Sequence, residues 1–146
     1  MTNLYLVAAV LIGAAFACQP GINAAAAKVL GSPFPATVLS VGITLLASAV
    51  VMVATKTTPP LSSVAALPWW VVIGGLIGVV VIGAGVVMVP ITGIALFFVC
   101  MIAGQLLGSV FLDHVGAFGL AVREVSPVRL GGVALAFVGV LLVSFG

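Results

Sequence analysis

Charge is what this sequence lacks. Of 146 residues only 4% are charged, four basic and two acidic, whereas a water-soluble fold carries roughly a quarter to cover its surface. A soluble domain is thereby excluded. The net charge of +2 is small and scattered, which excludes a nucleic-acid surface. Acidic residues are missing from everything before Asp113, and His114 is the single histidine. With two cysteines, Cys18 and Cys100, and no Cys-x-x-Cys, there is no metal-ligand set, and no cofactor is implied. Asp113 beside His114 does not make an enzyme, because no Ser or Cys nucleophile stands at a recognisable spacing from them.

What is present is apolar length. Hydrophobic residues make up 64% of the chain and the mean hydropathy is +1.54. The charged residues Lys28, Lys56, Asp113, Arg123, Glu124 and Arg129 cut the chain into uncharged runs over 1–27, 29–55, 57–112 and 130–146. About 20 apolar residues in a helix cross the ~30 Å hydrocarbon core of a bilayer. The chain therefore reads as an all-α integral membrane protein, a single membrane domain over 1–146 with about five transmembrane helices. The expected spans are 3–27, 35–54, 69–89, 91–113 and 127–145. Ala15-Phe16-Ala17-Cys18 ends the first apolar run as a lipoprotein leader would. No basic residue precedes that run and more membrane follows it, so it is taken as a span.

Polar residues inside these runs are few and patterned. In the first span Pro20 removes the hydrogen bond to the Phe16 carbonyl and predicts a kink. Gln19 and Asn23, four residues apart, share a face beside it. Thr37, Ser40, Thr44 and Ser48 form a hydroxyl face on the second span, of which Ser40 lies midway in depth. Trp69 and Trp70 open the third span as an interfacial anchor. Pro90 to Gly93 reads as a tight turn. On the fourth span Gln105, Ser109 and Asp113 form one polar stripe, with Gly116 as its C-terminal cap. Gly74 with Gly78, Gly104 with Gly108, and Gly132 with Ala136 and Gly139 make small-residue faces suited to close helix packing. Ser126-Pro127 has the form of an N-cap followed by proline at the first helical position.

Asp113 sits in the last turn of its helix, where the dipole disfavours an anion by about 0.3–1 kcal/mol. A cation is expected beside it, from His114, Arg123 or Arg129. Five crossings put Lys56, Arg123 and Arg129 on the N-terminal side and Lys28 on the other, which favours a cytoplasmic N-terminus by a margin narrow enough to permit dual topology. Transporters commonly form a midplane site between two inverted repeats. With no repeat inside the chain, five helices read as one half of a ten-helix inverted-repeat transporter completed as an antiparallel dimer.

These residues resemble the YdcZ-like family of the drug/metabolite transporter superfamily, proteins of the bacterial cytoplasmic (inner) membrane. The resemblance is carried by Gln19-Pro20-Gly21-Ile22-Asn23, by Ser40, and by Pro68-Trp69-Trp70 with Gly74-Gly75-Leu76-Ile77-Gly78. It continues in Gly104-Gln105 through Ser109 to Asp113-His114-Val115-Gly116, and in Arg129 with Gly131. It implies a five-helix unit that pairs with itself or with a homologous sister subunit and moves a small metabolite or drug by alternating access. The small multidrug exporters of that superfamily use a carboxylate in the first helix; none exists here. A polar neutral or zwitterionic small-molecule substrate is therefore expected. Gln19, Asn23, Ser40, Gln105 and Ser109 would bind it, and Asp113, His114 and Arg129 would gate it or couple it to protons. The alternative is a non-transporting scaffold or accessory subunit whose polar faces only hold helices together.

Overall fold

The computed structural model describes the backbone of residues 2–146 and the side chains from Leu4 onward. Its regular structure is helical: α1 (Thr2–Phe16), α2 (Cys18–Leu30), α3 (Pro33–Ala54), the short α4 (Leu61–Ala65), α5 (Val71–Thr92), α6 (Ile94–Val115), a 3₁₀ turn (Ala117–Gly119) and α7 (Pro127–Phe145). Five segments, Leu4–Leu30, Pro33–Ala54, Val71–Thr92, Ile94–Val115 and Pro127–Phe145, are long and apolar enough to cross a membrane. The chain divides into two compact units, Met1–Ile91 and Thr92–Gly146.

In the first unit, α1 and α2 together make one span-length segment with a break at Ala17. The break lies three residues before Pro20, and the reason is local. Pro20 has no N–H for the carbonyl of Phe16, so the ladder is interrupted one turn upstream of the ring, while Ala17 N still donates to the Gly13 carbonyl at 3.0 Å. Gly31, with φ 73°, closes α2, and Ser32 caps α3 by accepting from Phe34 N at 3.4 Å, with Pro33 at the first helical position. This two-residue connection makes α2 and α3 a packed hairpin, burying Pro20, Asn23 and Ala24 on one helix and Ala36 and Thr37 on the other. Gly83 of α5 lies near Thr37: a Cβ there would stand 3.7 Å from Thr37 Oγ1.

The end of α3 is closed by backbone and hydroxyl groups together. Thr57 N donates to the Met52 carbonyl and Lys56 N to that of Val53, both at 3.1 Å. This is the double bond pattern of a Schellman cap. Its left-handed position holds Lys56 (φ 54°) rather than glycine. Thr55 Oγ1 adds a bond to the Val51 carbonyl at 2.8 Å. Farther on, the helix of the third span does not stop before Pro90. It carries Pro90 in its last turn and continues to Thr92, because a proline so near the end removes a single rung of the ladder. The break falls on Gly93, whose φ 79° and ψ 162° are essentially reserved for glycine.

In the second unit α6 packs on α7. Gly116 ends α6 in the left-handed region, with φ 59° and ψ 39°, and the chain folds back over it. A Cβ on Gly116 would lie 2.7 Å from Val122 Cγ2 and 3.1 Å from the Leu120 carbonyl. Ser126 caps α7, its Oγ accepting from Arg129 N at 3.2 Å, and Pro127 follows as the first residue of the helix.

The small-residue faces are not used inside either unit. Among the described residues of its own unit, a Cβ built on Gly74, Gly78, Gly104, Gly108, Gly132 or Gly139 meets nothing within 4 Å.

Two substitutions should move thermal stability in detergent in opposite directions. Gly116→Ala adds a clash to an unfavourable φ and is expected to cost about 1–3 kcal/mol. Lys56→Gly relieves a left-handed non-glycine residue and is expected to gain up to about 1 kcal/mol.

Candidate functional site

The break at Ala17 sets the start of α2, and with it the direction of the two amides that follow. Asn23 is buried, 8% exposed, and its Nδ2 donates to Ser40 Oγ of α3 at 3.1 Å. Gln19, half-buried, stands one turn earlier on the same face. Ser40 in turn accepts at its backbone carbonyl from Thr44 Oγ1 at 3.0 Å. These four side chains, with Ile22 and Leu39 among others, line a groove of about 250 Å³ in which no residue is charged. Three of the residues expected at a substrate site, Gln19, Asn23 and Ser40, are thus brought together. Thr44 joins them; its spacing of four from Ser40 was the signal for it.

Not every hydroxyl on this face is available. Thr37 Oγ1 bonds the Pro33 carbonyl at 3.0 Å and is buried. A larger cleft of about 440 Å³ lies at the end of α3 beside Ser48, Met52, Thr55 and Thr57. There the threonine hydroxyls already serve the helix carbonyls.

On α6 the polar stripe is divided. Gln105 and Ser109 are exposed, and neither reaches another helix of the second unit by a hydrogen bond. Ser109 Oγ turns back to the Leu106 carbonyl of its own helix at 2.9 Å, a common retreat for hydroxyls on apolar helices. Asp113 is different, for both its main chain and its carboxylate are engaged. Its carbonyl accepts from Gly116 N at 3.3 Å and from Arg123 N at 2.9 Å. Its Oδ2 lies 3.4 Å from Arg129 Nη1. The contact is an ion pair rather than a hydrogen bond, since Nη1 is buried and has no hydrogen-bonded acceptor among the described residues.

The helix dipoles explain why these two meet. Asp113 sits at the negative end of α6 and Arg129 at the positive end of α7, so each is disfavoured by its own helix. Each relieves the other. Of the three cations expected near Asp113, Arg129 supplies the charge, Arg123 supplies only its main-chain N–H, and His114 is exposed without an ion pair among the described residues. No group of three or more His, Cys, Asp or Glu that could hold a metal lies among the described residues. Cys18 and Cys100 are exposed and free.

A family model described as "Putative inner membrane exporter, YdcZ" matches residues 4–142. Neither a curated protein nor a solved structure matches the chain.

The ion pair is about one-third exposed on each side, so water screens it. A double-mutant cycle with Asp113→Asn and Arg129→Gln should give a coupling of about 1 kcal/mol or less in detergent. A coupling above about 2 kcal/mol would mean a drier pair than the structure shows.

Proposed function

The chain belongs to the YdcZ family and is a multi-pass protein of the inner membrane, of a transporter type, and from that premise we propose that it is one half of an alternating-access carrier. Its partner is a second copy in the opposite orientation or a sister subunit, and 1–146 acts as a single membrane domain. Its substrate is a small neutral or zwitterionic polar metabolite or drug. The observation that carries this reading is the Asn23 to Ser40 bond beside Gln19, in an uncharged groove next to a broken helix. Broken helices and polar groups at membrane depth belong where a cavity or a protein interface replaces the lipid. A bare ion would find no compensating charge there.

The dimer is supported by the glycines. Faces at Gly74 and Gly78, and at Gly104 and Gly108, are unfilled within their own units, and small-residue faces in membranes let a second backbone approach closely. Gln105 and Ser109, exposed on α6, are assigned to the polar wall of the substrate path. Asp113 with Arg129 acts as a latch at one mouth, and His114, exposed next to Asp113, is assigned to the same gate. Six charged residues, with a narrow excess of basic ones on the N-terminal side, leave room for both orientations in the membrane.

A thermal-shift screen of the purified protein against a metabolite panel should produce a stabilising ligand. Efflux of that ligand from proteoliposomes should then fall about tenfold in Gln19→Ala and in Asn23→Ala, the loss of one substrate hydrogen bond. Unchanged efflux in both would remove the groove from the transport path and favour the scaffold reading. Reporters fused to the C-terminus, one active on each side of the membrane, should both be active if the protein inserts both ways; activity on one side alone would point to a sister subunit or a parallel pair.

A further inference from the structure

The bonds already made inside the groove decide what is left for a ligand. Thr44 spends its hydroxyl proton on the Ser40 carbonyl at 3.0 Å, and Ser40 Oγ accepts one N–H of Asn23 at 3.1 Å. A hydroxyl that accepts in this way still has its own proton to donate, and an amide that gives one N–H keeps a second N–H and its carbonyl oxygen. The Gln19 side chain makes no hydrogen bond among the described residues and retains its whole amide, half-buried at the groove wall.

Gln19 therefore keeps an amide edge with a donor and an acceptor side by side, and Asn23, one helical turn away on α2, keeps one N–H and its carbonyl oxygen. Such an edge is read best by a group carrying the same pair in the reverse order, as when Asn or Gln takes a base edge through two parallel bonds. At a single amide edge a carboxylate would meet one donor too few and an amidinium one acceptor too few. Both would also shed their hydration into a groove with no charged residue. The volume of about 250 Å³ lies below the roughly 300–1,000 Å³ typical of drug-sized pockets.

We propose that the groove takes a small uncharged ligand with an amide, lactam or ureido edge, held by Gln19 and Asn23 and receiving a further bond from the Ser40 hydroxyl. This rests on the groove being the substrate site, and it narrows the neutral-or-zwitterionic class to neutral compounds of one hydrogen-bonding pattern.

Benzamide, acetophenone, benzoate and benzamidine form a matched set: one ring, nearly one size, and a polar edge that is respectively a neutral amide, a lone acceptor, an anion and a cation. Binding of each to the purified full chain can be read by thermal shift and titration calorimetry. Benzamide is expected to bind saturably and about tenfold or more tighter than each of the others, the value of one well-made hydrogen bond. Gln19→Leu and Asn23→Leu should each weaken it about tenfold. Since an apolar variant could fail to fold, Gln19→Glu provides a second arm. It nearly preserves size and replaces both N–H donors of the amide by a charged acceptor oxygen, and it should lose benzamide and gain benzamidine. If any competitor matches benzamide and its binding still depends on Gln19, the amide class is wrong while the groove stands as the site. If none of the four binds in a way that depends on Gln19 or Asn23, the substrate class and the site assignment fall together.

Discussion

Inside a bilayer a backbone polar group has no water to turn to, and every interruption of a helix must be made good by neighbouring protein. Pro20 creates such an interruption by withholding a donor from the carbonyl of Phe16. Much of the first unit follows from it. The helix breaks at Ala17, α2 starts afresh at Cys18, and Gln19 and Asn23 come onto one face in its first two turns. Asn23 then meets Ser40 because the two-residue turn at Gly31 and Ser32 folds α3 directly against α2. A polar pair that would be a liability facing lipid becomes the wall of a groove.

The second unit solves a different problem, that of placing charge at helix ends. Asp113 and Arg129 each stand at the end of the dipole that opposes them, and their 3.4 Å contact offsets both. The main chain supports this arrangement. Gly116 can turn left-handed with no side chain in the way of Val122, which lets Arg123 N reach the Asp113 carbonyl at 2.9 Å. Partial exposure of both side chains keeps the pair weak.

Local signals in the sequence were legible where a single residue type decides the outcome. Ser126 with Pro127 starts α7, Gly116 caps α6, and each does so by its own backbone or side-chain chemistry. Pro90 was less legible. Proline is a strong breaker in a helix interior and a weak one in the last turn, and where the turn falls depends on how far the helix runs; here it runs on to Thr92 and breaks at Gly93. Serine and threonine were the hardest to read. Ser40 accepts from Asn23 and Ser109 donates back to Leu106, yet nothing in their spacing distinguishes the two, because a hydroxyl can serve either as acceptor or as donor.

By itself the sequence determined the class of molecule: with so little charge and such long apolar runs the chain can be stable only in a membrane, and its few charged residues mark the helix ends. It also placed two amides on one face, since helical periodicity needs no partner to be known. Only the tertiary structure decided which polar residue answers which. That Asn23 finds Ser40, that Arg129 rather than His114 or the Arg123 side chain finds Asp113, and that Thr44 lines the groove while Thr37 is buried all depend on how neighbouring helices approach. Periodicity along one helix carries no information about the distance to the next.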